Sequence, residues 1–303
     1  MSRAALISLY ALLVTVWSST WVTIKFGLED TPPLLGAGIR FVLAGLVLLV
    51  IAGGQRRDLK TDRRLALILA AFPFAATYGL VYWAEQYIPS GLTAVLFGAL
   101  PLYVAVIGIF ALREEPTSAR TFAGIVVAIG GLALAFSQSL DLGTEAHALA
   151  GAIAAVLAPL ASAVGNVAIK RRGRKLDAVV LNGWAMLGGG GALLAASAVS
   201  EAWSHAHWTA QAAGAIAYLA LVGSALPFVV LTVLLRHLTA VEMSYVPLLI
   251  PFGALGLGAL AYDEKITALA LVGATLVAAG LGLAQVRRTP REPSVAPLPA
   301  GAD

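Results

Sequence analysis

Apolar stretches of about twenty residues follow one another almost without interruption from residue 4 to residue 286. At 1.5 Å rise per residue, each is long enough to cross a hydrocarbon core of ~30 Å as a helix. The spans lie near 4–26, 33–52, 65–87, 89–112, 117–137, 149–170, 178–200, 211–236, 240–261 and 266–286. An all-α integral membrane fold of ten transmembrane helices is the expectation. Only 12% of the residues are charged and mean hydropathy is +0.87, so lipid, not water, is the solvent this surface suits.

The basic residues give the direction. With the N-terminus inside, 17 of the 20 lie in inner segments: Arg3, the 56–64 loop, Arg113 and Arg120, the 170–175 loop, Arg236, and Arg287, Arg288 and Arg291. The outer loops hold Lys265 alone, while Lys25 and Arg40 sit within spans. Such a bias predicts both termini in the cytoplasm of a multi-pass inner (plasma) membrane protein. The net charge of +4 belongs to these loops, so no nucleic-acid partner is expected. The first apolar stretch is too long for a signal-peptide core and reads as a retained helix. The tail, 287–303, is basic and then Pro-rich and is expected to be disordered in the cytoplasm.

The two halves repeat one another. At an offset of 150, Pro101 matches Pro251, Gly108 matches Gly258, Glu114 matches Glu264, Thr117 matches Thr267 and Gly130 matches Gly280. At an offset of 145, Lys25 matches Lys170, Gly38 matches Gly183 and Gly45 matches Gly190. Five helices per repeat is odd, so the repeats cross the membrane in opposite senses. The expected domains are a first five-helix repeat over 1–137, an outer linker over 138–148 and a second, inverted repeat over 149–286. Inverted repeats around a central, midplane cavity are an architecture of secondary transporters. A duplicated structural bundle without transport is the plainer alternative.

Several strings resemble a known family. The run WSSTWVTIKFGL in the first span, then Pro33 and Arg40, resembles the start of an EamA-domain half of the drug/metabolite transporter superfamily. Pro101, REEPT at 113–117 and GIVVAIGGLAL at 124–134 add to it, as do PLLIPFGALGLGALAYDEKIT and GATLVAAGLGLA in the second half. The resemblance covers nearly all of 4–286. It departs where Ala185 stands at the Arg40 position and where Ser162 and Asn166 replace the tryptophans of the first span. It implies an exporter of small molecules, with spans 1, 3, 4, 6, 8 and 9 around the cavity. Amino acids are the leading substrate class, as in YddG-type exporters. Nucleotide sugars, sugar phosphates and drugs are the alternatives.

Six residues are candidates for the substrate cavity. Trp17 and Trp21 share a helix face with Lys25 at i, i+4, i+8. Trp17 lies too deep for the interfacial belt, so its indole either faces a cavity or packs between helices. Lys25 suits the belt, snorkelling outward. Tyr78 and Tyr82 form an i, i+4 stripe whose hydroxyls need partners, with Glu85 beyond them near the outer end, where solvation by water is the expected reading and a protonation role the lesser alternative. Asn166 and Tyr245 are the other cavity candidates, with interhelical contacts as the ordinary reading.

Arg40 is a buried charge roughly 10 Å from the outer end of its helix. It is expected either to meet a substrate carboxylate or to hold carbonyls freed at a broken helix, the second because span 2 is not an expected cavity wall. Pro101 and Pro251, repeat-related and central, are hinge candidates, or static kinks. Glu114 and Glu264 are expected to cap the helices that follow them.

The chain has no cysteine, no HExxH, no GxSxG and no phosphate-binding loop. Neither an enzyme nor an ATP-driven pump is indicated, and no cofactor or metal is called for. His205 and His207 lack a third ligand. The expected partners are a small-molecule substrate and the lipid bilayer. Two fused halves make a functional monomer the expectation.

Overall fold

The computed structural model describes residues 2–100, 103–104, 106–107, 119–141, 146–172, 176–234 and 246–285. Among them the regular structure is helical. The first two helices are α1, Arg3–Leu28, and α2, Pro33–Gly54. Helix α3 runs Arg63–Leu69, passes through a π-helical stretch, Ala70–Ala76, and resumes over Thr77–Ala84. Then come α4, Ser90–Phe97; α5, Ala119–Asp141; α6, Ala146–Arg172; and α7, Ala178–Ser200. Helix α8 is Ala210–Ala220, a π turn Leu221–Ala225, and Leu226–Leu234. The last two are α9, Val246–Tyr262, and α10, Ala268–Gln285.

Among the described residues, six helices are long and apolar enough to cross a membrane: α1, α2, α3, α6, α7 and α8. Shorter apolar helices occupy Phe122–Ala135, Leu249–Tyr262 and Ala268–Leu283. Their outward faces are apolar: Val50, Leu67, Val199 and Leu260 are all strongly exposed, Leu260 at 85%. Water would penalise such a surface and lipid does not.

Local chemistry sets the helix ends. The side chains of Ser2, Asp62, Asp177, Thr209 and Thr267 accept backbone N–H groups at the starts of α1, α3, α7, α8 and α10. Helix α2 begins at Pro33, whose missing N–H costs nothing there. Its Leu34 and Leu35 N–H groups donate to the carboxylate of Glu201, at 2.8 and 3.0 Å.

Pro73 explains the π stretch of α3. It removes one backbone donor, and the widened turn lets other donors reach the freed carbonyls. The hydroxyl of Thr77 donates to Phe72 O at 3.0 Å and to Ala158 O at 3.2 Å. Gly165 on α6 faces the Pro73 ring, where a side chain would collide with it. The π turn of α8, Leu221–Ala225, lies about 150 residues further on, two residues before Pro227.

Helices α2 and α7 cross with backbone contact. A Cβ on Gly45 would lie 2.7 Å from Gly183 O, and one on Gly190 would lie 2.8 Å from Gly38 O. A Cβ on Gly38 would meet Leu194, and one on Gly183 would meet Leu49. Each contact maps onto its counterpart by the offset of 145. Helices α5 and α10 approach equally closely: a Cβ on Gly131 would lie 2.7 Å from Gly273 O, and the reverse separation is 2.8 Å. Small residues let backbones come this near, which gives dispersion contacts where lipid offers no hydrophobic drive between helices.

The main core gathers Ile24, Phe41, Phe74, Val81, Met186 and Leu219, from α1, α2, α3, α7 and α8. These five helices surround the charged residues described next.

Candidate functional site: a buried guanidinium and a carboxylate-lysine seam

Arg40 is 1% exposed, the largest fully buried side chain. Its Nε donates to Ser224 Oγ at 3.0 Å, in the π turn of α8, and Nη1 reaches Tyr82 OH at 3.5 Å. The guanidinium lies 4.9 Å from the ring centroids of both Phe41 and Tyr78. Those rings meet edge to face, 4.5 Å apart. No carboxylate pairs with Arg40 among the described residues; its partners are neutral hydroxyls and aromatic faces. Arg40 of α2 thus joins a buried cluster with α3 and α8, whose π turn supplies Ser224.

The other candidates fall out differently. Tyr82 is 3% exposed and Tyr78 half-buried, so the stripe on α3 does turn inward. Trp21 is half-buried and packs edge to face on Phe97 of α4, 5.3 Å between centroids. Trp17 packs with Leu13, Val230, Leu234 and Val246, a cluster separate from Arg40. Asn166 is exposed on α6. Pro251 is buried inside α9. Tyr245, Pro101 and Glu114 lie outside the described residues.

One end of the bundle is closed by a polar seam. Lys25 Nζ meets Glu264 Oε1 at 3.0 Å, so this lysine is ion-paired and does not snorkel freely. Glu264 also accepts the Ser90 N–H at 2.9 Å, the Ser90 hydroxyl at 3.0 Å and the Gly91 N–H at 3.2 Å. It caps α4, in the other half of the chain. Its own following helix, α10, is capped by Thr267 instead. Gly258 faces the Glu264 carboxylate, where a side chain would displace it. Partial burial pushes the Glu264 carboxyl up, but the Ser90 N–H, the Lys25 ammonium and the Gly91 N–H outweigh that and hold it below the usual carboxylate range.

The seam continues outward from that pair. Tyr262 OH donates to Glu29 Oε1 at 2.5 Å, Gln211 donates to Glu29, and Thr209 donates to Asp30. At the opposite end Arg57 Nη1 holds Asp177 Oδ2 at 2.7 Å, and Arg172 lies 3.5 Å from Asp62.

Glu85, at the C-terminal end of α3, is 2% exposed, and neither carboxyl oxygen has a hydrogen-bond partner. Its sequence position suggested water; packing of α3 against α6 and the seam above it remove that water. Ser224 gave only a weak signal, a hydroxyl three residues before Pro227 in an apolar span. No group of acidic or histidine residues suited to a metal occurs among the described residues, and His205 and His207 lie in an exposed loop.

A crystal structure of another protein, 18% identical, superposes with a TM-score of 0.66 over 93% of this chain and 98% of that one, which supports the fold alone. The uncharacterised transporter YoaV of Bacillus subtilis is 30% identical over 88% of this chain and 91% of its own length. Proteins named probable amino-acid metabolite efflux pumps in Salmonella typhimurium and Escherichia coli are 27% and 26% identical, covering 92% and 89% of this chain and 96% and 91% of theirs. The model of the EamA-like transporter family matches twice, over residues 5–137 and 149–285. With an apolar, multi-pass helical body and both halves matched, the chain belongs to the EamA-like transporter family, and is a membrane transporter of small molecules.

Proposed function

We propose that this transporter exports small amphipathic metabolites, amino acids foremost, by alternating access of two inverted five-helix repeats, 1–137 and 149–286. The observation that carries the substrate class is Arg40. An arginine stays charged at any relevant pH, and buried against neutral hydroxyls it has no counter-ion among the described residues. A substrate carboxylate supplies one. Tyr78 and Phe41 beside it suit the apolar part of an amino acid. A sugar phosphate would call for several cations, and Lys25 is already committed to Glu264. The names of the efflux-pump relatives agree with amino-acid export.

The bias of basic loops supports cytoplasmic termini, which makes the Lys25–Glu264 end the outer one. The reciprocal contacts of α2 with α7, related by the offset of 145, support the inverted arrangement.

The test is counterflow in proteoliposomes loaded with unlabelled amino acids, with a labelled panel outside. Saturable exchange that Arg40→Leu or Tyr82→Ala reduces supports the reading. Absence of exchange for every amino acid, by protein that elutes as a single folded species, overturns it and moves the search to other metabolites and drugs.

A further inference from the structure

Glu85 has no structural task in the closed seam. A carboxylate that is capping a helix or holding a lysine shows it in its contacts, as Glu264, Glu201 and Asp177 do. Glu85 makes no hydrogen bond with either oxygen. Charged groups reach it only through space. The charged groups around it are Lys25 on α1, Glu264 before α10 and Arg40 on α2. Tyr262 on α9 and Tyr82 on its own helix are the other titratable groups around it. Helix α6 faces this end of α3 with alanines, and its His147 stacks on Tyr87, 5.2 Å between ring centroids.

An ionised carboxylate without a single donor is poorly tolerated in so enclosed a place, whereas the neutral acid is not. The cation that could neutralise it, Lys25, is held by Glu264 instead. The two carboxylates therefore compete for one ammonium. While Glu264 holds it, Glu85 is left to a proton.

We propose that Glu85 is a proton-binding site of this transporter: its carboxyl keeps a proton while the Lys25–Glu264 seam is closed and loses it to water when the seam opens. On opening, the Glu264 contact breaks and water enters. The Glu85 O–H bond breaks heterolytically, the proton goes to water on that side, and the carboxylate left behind takes the Lys25 ammonium. Closure reverses each step. Proton binding and seam closure are thus two readings of one equilibrium, so the pH on that side of the membrane biases how readily the seam opens in a transport cycle. That coupling rests on the transport reading above; the proton site does not.

Two measurements separate them. Infrared spectra of the purified protein in lipid are expected to contain a protonated-carboxyl C=O stretching band at neutral pH that falls as pH rises and is missing from Glu85→Gln. Glu85→Asp, which keeps an acid but shifts the band, assigns it even if Glu85→Gln does not fold. A band absent from the wild type at neutral pH, or unaltered by both substitutions, overturns the proton site. In proteoliposomes, counterflow of labelled L-phenylalanine or L-threonine is compared at alkaline and at acidic external pH, as the ratio of the first rate to the second. The ratio of the two is expected to drop several-fold in Glu85→Gln and to recover in Glu85→Asp. An unchanged ratio overturns the coupling. If the wild type shows no counterflow, amino-acid transport is the reading that falls, and the infrared band still decides the proton site.

Discussion

Lys25 and Glu264 stand 239 residues apart in the chain and meet with Nζ and Oε1 3.0 Å apart, where the glutamate also caps a helix of the opposite half. One carboxylate thus ties α1, α4 and the start of α10 together. Such a tie closes its end of the bundle and can be broken by moving one half against the other.

Glu264→Gln removes the charge from both the ion pair and the cap. A charge-assisted bond and an N-cap contribute ~1–3 kcal/mol together, so a lower melting temperature in detergent is expected. Thermal-shift measurements over pH provide the sign. The folded Glu264 carboxyl ionises at lower pH than an ordinary glutamate. Its contribution is therefore full above the ordinary glutamate value and fades as pH falls through the depressed one. Glu264→Gln should flatten that part of the acid limb.

Arg40→Leu removes the cation that faces the proposed carboxylate. Loss of a charge-assisted bond of ~1.5–3 kcal/mol corresponds to about 10–100-fold weaker half-saturation in counterflow. Arg40→Lys is expected to recover only part of it, because an ammonium cannot keep both the Ser224 bond and the flat contacts with Phe41 and Tyr78. Full activity in Arg40→Leu would make Arg40 a purely structural clamp.

Tyr82→Phe keeps the ring and deletes one hydroxyl. At 3.5 Å its bond to Arg40 is weak, so a cost of ~0.5–1 kcal/mol is expected, seen as an increase in half-saturation of about two- to fivefold with protein yield unchanged.

Gly45→Val should not be tolerated. The new Cβ would meet Gly183 O and Leu187 N at 2.7 and 2.8 Å, and those atoms are backbone. Overpacking of this kind costs ~1–3 kcal/mol or more, so poor recovery of monodisperse protein is expected. Gly53→Val, with open space around it, is the matched control on the same helix.

Much of the site was legible from residue type. A lone arginine in an apolar span must face protein or water, and Arg40 does; tyrosines one turn apart on α3 turn inward as their hydroxyls require. Lys25 and Glu264 were each readable as an interfacial residue, because each lies near a span end. Nothing local in either residue says that they meet, since the pairing depends on how α1 lies against α9. For Trp17 a deep indole left both a cavity and packing between helices open, and in the structure it is half-buried against apolar side chains of α8 and α9.

Sequence alone determined the solvent and the helical class, which follow from composition and periodicity repeated over the whole chain, and its motif strings carried the resemblance to the family. Tertiary structure decided which carboxylate is paired and which is bare. Glu85 and Glu264 are the same residue type at the same end of the bundle. One accepts two backbone donors, a hydroxyl and an ammonium; the other is sealed from water without a donor. The difference lies in which helix ends and which cation the packing delivers to each. That depends on contacts between residues far apart in sequence, which no local pattern encodes.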